Sequence, residues 1–351
     1  MLCFPPRSSR SRKVRRPGVR LTLEPLESRA LLAAMVRPTV SVPDLTAASD
    51  SGWSTFDNKT NVLTPTFTGT ATNASSVQVF DGKTSLGTAE VVNNQWTLTA
   101  PPRVNGNRAI TAQAFSVVGG LGVAGPRSRA LVVTINTKLP TTTILLAAHS
   151  DTGVKGDFTT RLSTPTVVGR GSAGSFVTVS VSSTSVGWVV VPASGLWTLT
   201  LPAMSDGVKT VSTKVENVFG SQQAGGSMRL TIDTVRPIAT LAFVPGTDTI
   251  TVTFNKPVTG VTLRNLSISG QPIAFAAFPA IVLTDPKLKA ILGPGKPITM
   301  RPGANTPSTI FTVTLPQAFA ESGRYTLKLA TDGIMDAAGN PPVVTSLNFD
   351  V

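Results

Sequence analysis

Apolar and polar residues alternate along this chain in short runs. Val77 and Val79, the stretch 177–181, Trp96 with Leu98, and Trp197 with Leu199 each alternate with polar neighbours. A period of two is the spacing of a strand with one buried face. Residues 249–254, 261–268, 311–315 and 325–329 read the same way. Phe80-Asp81-Gly82-Lys83 predicts a hairpin, with Asp-Gly supplying the positive φ angles of a type I′ turn. The chain has 30 Gly and 27 Pro among 351 residues and only 14% charged residues. That composition predicts many short strands joined by turns rather than long helices. With 41% hydrophobic residues it can build real cores, and Trp96 and Trp197 are expected to lie in them.

The strand pattern repeats. Leu63-Thr64-Pro65-Thr66-Phe67-Thr68-Gly69 recurs 100 residues on as Ser163-Thr164-Pro165-Thr166-Val167-Val168-Gly169. Trp96-Thr97-Leu98-Thr99 recurs as Trp197-Thr198-Leu199-Thr200, and Val133-Thr134-Ile135-Asn136-Thr137 as Leu230-Thr231-Ile232-Asp233-Thr234. Upstream, Ala47-Ala48-Ser49-Asp50-Ser51-Gly52 answers residues 147–153. A period near 100 is too long for a solenoid unit and fits one small β-sandwich per repeat. Pro140 and Pro237 follow the last strand of each repeat and mark linkers. The expected division is a tail over 1–37 and domains over 38–140, 141–237 and 238–351. The third resembles the others less. Its residues 271–307 hold seven prolines and four basic residues, and read as a long surface excursion with a short helix near 285–292.

Charge separates the tail from the rest. Of the net charge of +13, residues 1–37 carry nine bases and two acids. A basic arm can bind phosphates, but a basic run just inside the initial Met reads first as a targeting or processing segment. No aromatic residue interleaves with Arg7–Arg20, so the stacking of a single-strand binder is missing and no nucleic-acid partner is expected. The apolar piece at 30–36 is short for a standard secretory signal. No run of about 18 apolar residues predicts a membrane-spanning helix.

The candidate chemistry is sparse. One His and one Cys exclude a His- or Cys-based metal site and a disulfide framework. His149 has no catalytic partner by motif and reads as a solvated loop residue. Residues 169–174 satisfy G-x-G-x-x-G, yet a strand pattern follows and no acid lies between Asp157 and Asp206. A dinucleotide fingerprint needs a helix and an acid there, so these glycines are expected in a strand connection. Asn58, Asn73 and Asn265 open glycosylation triplets by pattern only. No catalytic residue is expected, and the chain reads as non-enzymatic.

Two resemblances extend this reading. Leu23-Glu24-Pro25 with Leu31-Leu32, behind the Arg-rich run, resembles the LEPR-XLL element near the N-termini of large planctomycete surface and secreted proteins, although Leu26 stands at its Arg position. Residues 45–69, then Asp81-Gly82, Asn94-Gln95-Trp96 and Thr134-Ile135-Asn136-Thr137, resemble the bacterial immunoglobulin-like repeats of large adhesins, and the second repeat keeps most of these marks. Residues 252–260 and Ile334-Met335-Asp336-Ala337-Ala338-Gly339-Asn340-Pro341 resemble a related bacterial Ig-like type. Glu321-Ser322-Gly323-Arg324-Tyr325 resembles the approach to a tyrosine corner. The resemblance implies an all-β protein of three tandem immunoglobulin-like β-sandwiches behind a disordered basic tail. It implies an extracellular or cell-surface location and a structural or adhesive role toward a surface protein or glycan. The alternative is a secreted carbohydrate-binding or hydrolase accessory protein using 271–307 as its binding loop. In such adhesins, Asp residues at domain junctions hold calcium, which takes six to eight oxygen ligands. The corresponding candidates are Asp50, Asp57, Asp151, Asp157 and Asp233, against the plainer role of Asp in turns.

Overall fold

A computed structural model describes residues 36–118, 120–244, 246–272, 278–285, 297–315 and 323–351. The basic tail up to residue 35, the LEPR-XLL-like element, the Glu321-Ser322 turn and the helix expected within 286–292 lie outside them. The described chain is built of strands, with a single 3₁₀ turn at Leu263–Asn265. No helix among the described residues is long and apolar enough to cross a membrane.

The chain forms two compact units. One comprises residues 1–46, 64–102 and 107–133, and the other 47–63, 103–106 and 134–351. In the first unit, Thr66–Thr72 pairs with Thr39–Val40, Asp44–Leu45 and Gln95–Thr99. Ser76–Asp81 pairs with Thr84–Glu90 on one side and Gly106–Val118 on the other. Their inward residues Phe67, Val77, Val79, Trp96, Ile110, Ala112 and Ala114 are buried. These are the apolar positions of the period-two pattern.

The second unit holds two further sandwiches. One pairs a sheet of Leu145–Leu146, Thr166–Arg170 and Leu196–Thr200 with a five-stranded sheet ordered Thr159–Thr160, Gln222–Ile232, Gly207–Glu216, Phe176–Val181, Thr184–Val190. Val167, Val177, Val179, Trp197, Val211, Val215 and Leu230 form its core. The other has one sheet of Ala239–Phe243, Thr249–Val258, Ser308–Thr314 and Thr299–Arg301. Its second sheet is Phe278–Val282, Leu266–Pro272, Gly323–Leu329 and Thr345–Asp350. Ile250, Val252, Phe311, Val313, Leu327 and Tyr325 sit in that core. Tyr325 stacks on Phe349 at 5.6 Å.

The structure departs from the sequence reading in two places. Residues 271–307 are not simply a surface excursion. Phe278–Val282 pairs with Leu266–Pro272, and Thr299–Arg301 pairs with Ser308–Thr314. Leu283 is buried and Ile281, Ile298 and Met300 pack on the core, so apolar residues carry parts of this proline-rich stretch into the sheets. The first hairpin exists, but Asp81 pairs with Thr84 and the turn residues are Gly82-Lys83. Gly82, at φ 60°, holds the first turn position, as type II′ turns require. In the second repeat the equivalent Ser182 and Ser183 both have positive φ, the type I′ pattern.

The repeated glycine and tryptophan explain each other. A Cβ on Gly69 would meet the Trp96 indole at 2.8 Å, and one on Gly169 would collide with Trp197. The first Gly of the G-x-G-x-x-G run therefore makes room for a core ring. Trp197 Nε1 donates to Thr142 Oγ1 at 3.0 Å. Trp96 Nε1 is equally buried and has no hydrogen-bond acceptor. Val40, paired with Ala71, stands where the second repeat has Thr142, bridged to Gly171. Val40→Thr is expected to stabilise the first sandwich by about 1 kcal/mol, measured by urea unfolding, and Thr142→Val to destabilise the second by about 1–3 kcal/mol. No gain from Val40→Thr would mean that the new hydroxyl fails to reach the indole.

Candidate functional site

The opening loop of each of the first two repeats meets the closing turn of the repeat that follows. Both meetings lie within the second unit. In residues 217–221, Asn217 Oδ1 accepts from the Phe219 and Ser221 amides at 3.0 Å each, and Gly220 N donates to Asn217 O at 3.1 Å. Residues 336–340 repeat this geometry. Asp336 Oδ1 accepts from Asn340 N at 2.8 Å, and Gly339 N donates to Asp336 O at 3.0 Å. An Asx side chain bonding its own backbone ahead is ordinary turn chemistry. Here it also leaves carbonyls and a glycine facing outward.

Each turn receives a hydroxyl-glycine pair. Ser51 Oγ donates to Phe219 O at 2.8 Å and accepts from Asn61 N at 3.0 Å. Thr152 Oγ1 donates to Ala338 O and accepts from Arg161 N at 2.9 Å. Val154 N donates to Ala337 O at 3.1 Å, and Arg161 Nη1 to Gly339 O at 3.0 Å. The glycines meet backbone to backbone. A Cβ on Gly220 would lie 2.7 Å from Gly52 N, and one on Gly339 2.7 Å from Gly153 N. Only glycine permits that approach, and Gly52, Gly153, Gly220 and Gly339 all have positive φ.

An ion cluster reinforces the junction of the second and third sandwiches. Lys256 Nζ lies 2.9 and 2.8 Å from the two carboxylate oxygens of Asp233, and 2.8 Å from Asp336 Oδ2. Asp336 is 4% exposed. Asn340 Nδ2 donates to Asp233 O at 2.8 Å and to Asp336 Oδ2 at 3.1 Å. Arg236, in the linker, donates to the carbonyls of Pro341 and Pro342. Burial alone would lower the pKa of Lys256. The hydrogen bonds to Asp233 and Asp336, with their charge, outweigh it and raise the value above 10.5.

The calcium candidates are placed as follows. Asp50 is buried, and its Oδ2 accepts from Asn58 N at 3.3 Å. Asp57 accepts from Lys59 N at 3.2 Å and from Lys59 Nζ at 3.1 Å. Asp151 Oδ2 accepts from Gly156 N at 2.6 Å, while the Lys155 ammonium bonds the Asp151 carbonyl. Asp157 caps Thr159 N at 2.8 Å. The opening loop and last strand of the second repeat do meet: Thr159 and Thr160 pair in parallel with Thr231 and Ile232. Yet no three Asp, Glu, His or Cys side chains converge among the described residues. Around Asp233 the donor set does not fit a metal ion, because an ammonium already lies against both carboxylate oxygens.

Other motif residues fall in plain positions. His149 is exposed. Asn265 is buried, with Oδ1 accepting from Thr262 N and Nδ2 donating to Asp332 O, both at 2.8 Å, so its glycosylation triplet is closed to modification.

Tandem β-sandwiches define a modular β protein of the immunoglobulin-like class. Family comparison agrees. One model, described as bacterial Ig-like domain, matches residues 37–121 and 138–234, and a second of the same description matches 227–351. The chain belongs to the bacterial Ig-like domain family, whose members are structural modules. No match was found among curated proteins. Similar solved structures include the fibronectin(III)-like modules of Clostridium thermocellum CbhA, at 13% identity and TM-score 0.34, covering 55% of this chain and 94% of that one. Invasin, a bacterial integrin-binding protein, matches at 13% identity and TM-score 0.31, covering 89% of this chain and 60% of invasin. A putative membrane-anchored protein from Corynebacterium diphtheriae matches at 11% identity and TM-score 0.26, covering 88% and 91%. The family models carry the assignment.

Proposed function

We propose that the chain is a non-enzymatic spacer or adhesive protein of the cell surface or secreted space, built of successive Ig-like modules with a fixed junction between the second and the third. The observation supporting this is the use of one docking geometry twice, Ser51-Gly52 on residues 217–221 and Thr152-Gly153 on residues 336–340. A freely hinged linker would not need four positive-φ glycines in backbone contact. In this proposal the Lys256 cluster supplies the stiffness at the second junction. Calcium at Asp50, Asp57, Asp151 or Asp157 is the competing source. The LEPR-XLL-like tail is the proposed targeting element.

The test combines location and mechanics. Cell fractionation with N-terminal sequencing should recover the protein outside the cytoplasm with a processed tail. Small-angle scattering and melting of the full chain should be unchanged between chelator and millimolar calcium. A calcium-dependent rise in melting temperature that Asp151→Asn removes would assign the stiffness to the metal. At ten times its dissociation constant a site contributes about 1.4 kcal/mol, enough to detect. Recovery in the cytoplasm with an intact tail would overturn the surface reading.

A further inference from the structure

The five-stranded sheet of the second sandwich ends on an open, uncharged strand. Thr184–Val190 pairs on one side only, with Phe176–Val181. Among the described residues, no other backbone hydrogen bond reaches 184–190. Each residue of the strand is exposed or half-buried, and Trp188 is 62% and Val190 43% exposed. Such an edge presents a row of unpaired N–H and C=O groups, a template for another strand. Trp53 stands against Phe176 on the sheet's outer face, so the edge, rather than that face, is the open surface.

Charge is missing around this edge. Residues 171–205 hold no charged residue, in a chain that is 14% charged. The first repeat is an internal control. Its matching strand, Thr84–Glu90, also ends its sheet, but it finishes on Glu90, and Asp81 and Lys83 precede it in the hairpin. Both edges carry a register shift at the same place, beside Gly87 and Gly187, so the bulge guards them alike and charge is the difference. In the third sandwich the edge strand Phe278–Val282 contains Pro279, Thr299–Arg301 ends on Arg301 and Thr345–Asp350 on Asp350. Charges and prolines are the usual means of blocking an edge, and Thr184–Val190 has neither.

We propose that Thr184–Val190 is a self-association edge, on which a second copy of this chain pairs antiparallel to form a two-fold dimer. Charge argues for this occupant. Each copy carries +13, so two copies repel wherever their basic surfaces face each other. Like charges directly across a strand pair are destabilising, and an uncharged edge lets two such chains meet without opposing any. A partner of opposite charge would be selected by basic residues, and residues 171–205 supply none. A two-fold contact uses the same strand in both copies. Each open edge is then consumed, and assembly stops at two. Trp188 and Val190 lose apolar surface to water as the strands join, which favours the contact. The pairing is separate from the loop-to-turn contacts and does not depend on where the protein resides.

Analytical ultracentrifugation of the full chain at physiological salt tests this from about 1 to 100 μM, the range in which a modest contact is populated. The native chain should pass from monomer to dimer, and residues 184–190 should gain protection from amide hydrogen exchange as it does. Trp188→Lys puts a like charge on the edge of each copy and should weaken association about tenfold or more. Val190→Glu, which installs the first repeat's own residue, should weaken it in the same direction. Both positions are exposed, so both variants should keep the native melting temperature. A chain that stays monomeric throughout overturns the proposal and leaves the edge to a strand from another protein. A dimer that both variants form as readily as the native chain also overturns it. So does assembly beyond two copies, or exchange protection that excludes 184–190.

Discussion

Lys256→Met is expected to lower the stability of the second unit by about 2–4 kcal/mol. The ammonium bonds Asp233 and Asp336 at 2.8–2.9 Å. Removing it leaves two carboxylates facing each other, one of them buried. Breaking a buried ion pair from one side is costlier than removing both partners, because an uncompensated charge stays behind. The double variant Lys256→Met with Asp336→Asn should therefore lose less than the sum of the single losses. Denaturant unfolding of all three variants measures this. Simple additivity would reduce the cluster to ordinary surface charge.

The same cluster fixes a pH dependence. Lys256 has its folded pKa raised above 10.5, so the folded state binds the proton more tightly than the unfolded chain does. Its contribution is complete below the ordinary lysine value and is lost as pH rises through the folded value. The stability gap between the native chain and Lys256→Met should hold from pH 7 to 10 and close above that. A gap that already closes between pH 7 and 9 would contradict the assignment.

Local pattern made the sandwiches legible. Strand alternation and the Trp96 and Trp197 repeats are properties of neighbouring residues, and they mark strands that the structure contains. The junctions were legible only as parts. The Asp-Ser-Gly and Asp-Thr-Gly openings stood out, as did residues 334–341. Their partnership spans 168 residues for Ser51 and Phe219 and 186 for Thr152 and Ala338, and no periodicity records such a contact. Asp233 is legible as a junction carboxylate from its place at the end of the second repeat. Lys256, 23 residues on, looked like any lysine before a proline. Residues 271–307 misled because proline density masked Ile281, Leu283 and Met300.

Gly153→Ala should undock the second sandwich from the third. The residue has φ +69°, and an added Cβ would fall on the Ala337 carbonyl oxygen and lie 2.5 Å from Gly339 N. Neither is the tip of a flexible side chain, so the loop must move away as a whole. That movement forfeits the bonds of Thr152 to Ala338, Val154 to Ala337 and Arg161 to Gly339. At about 0.5–1.5 kcal/mol each, with about 1 kcal/mol for the left-handed backbone, the expected loss is roughly 3–5 kcal/mol of coupling. Gly156→Ala is the control. Its φ is +86°, but nothing lies within 4 Å of an added Cβ, so it should cost only the backbone part and leave the docking intact. In calorimetry the native chain should unfold its second and third sandwiches together. Gly153→Ala should split that transition in two, and a spin-label pair across residues 154 and 337 should show a broadened distance distribution. If Gly153→Ala and Gly156→Ala behave alike, the glycine contact does not hold the junction and the fixed-spacer reading loses its main support.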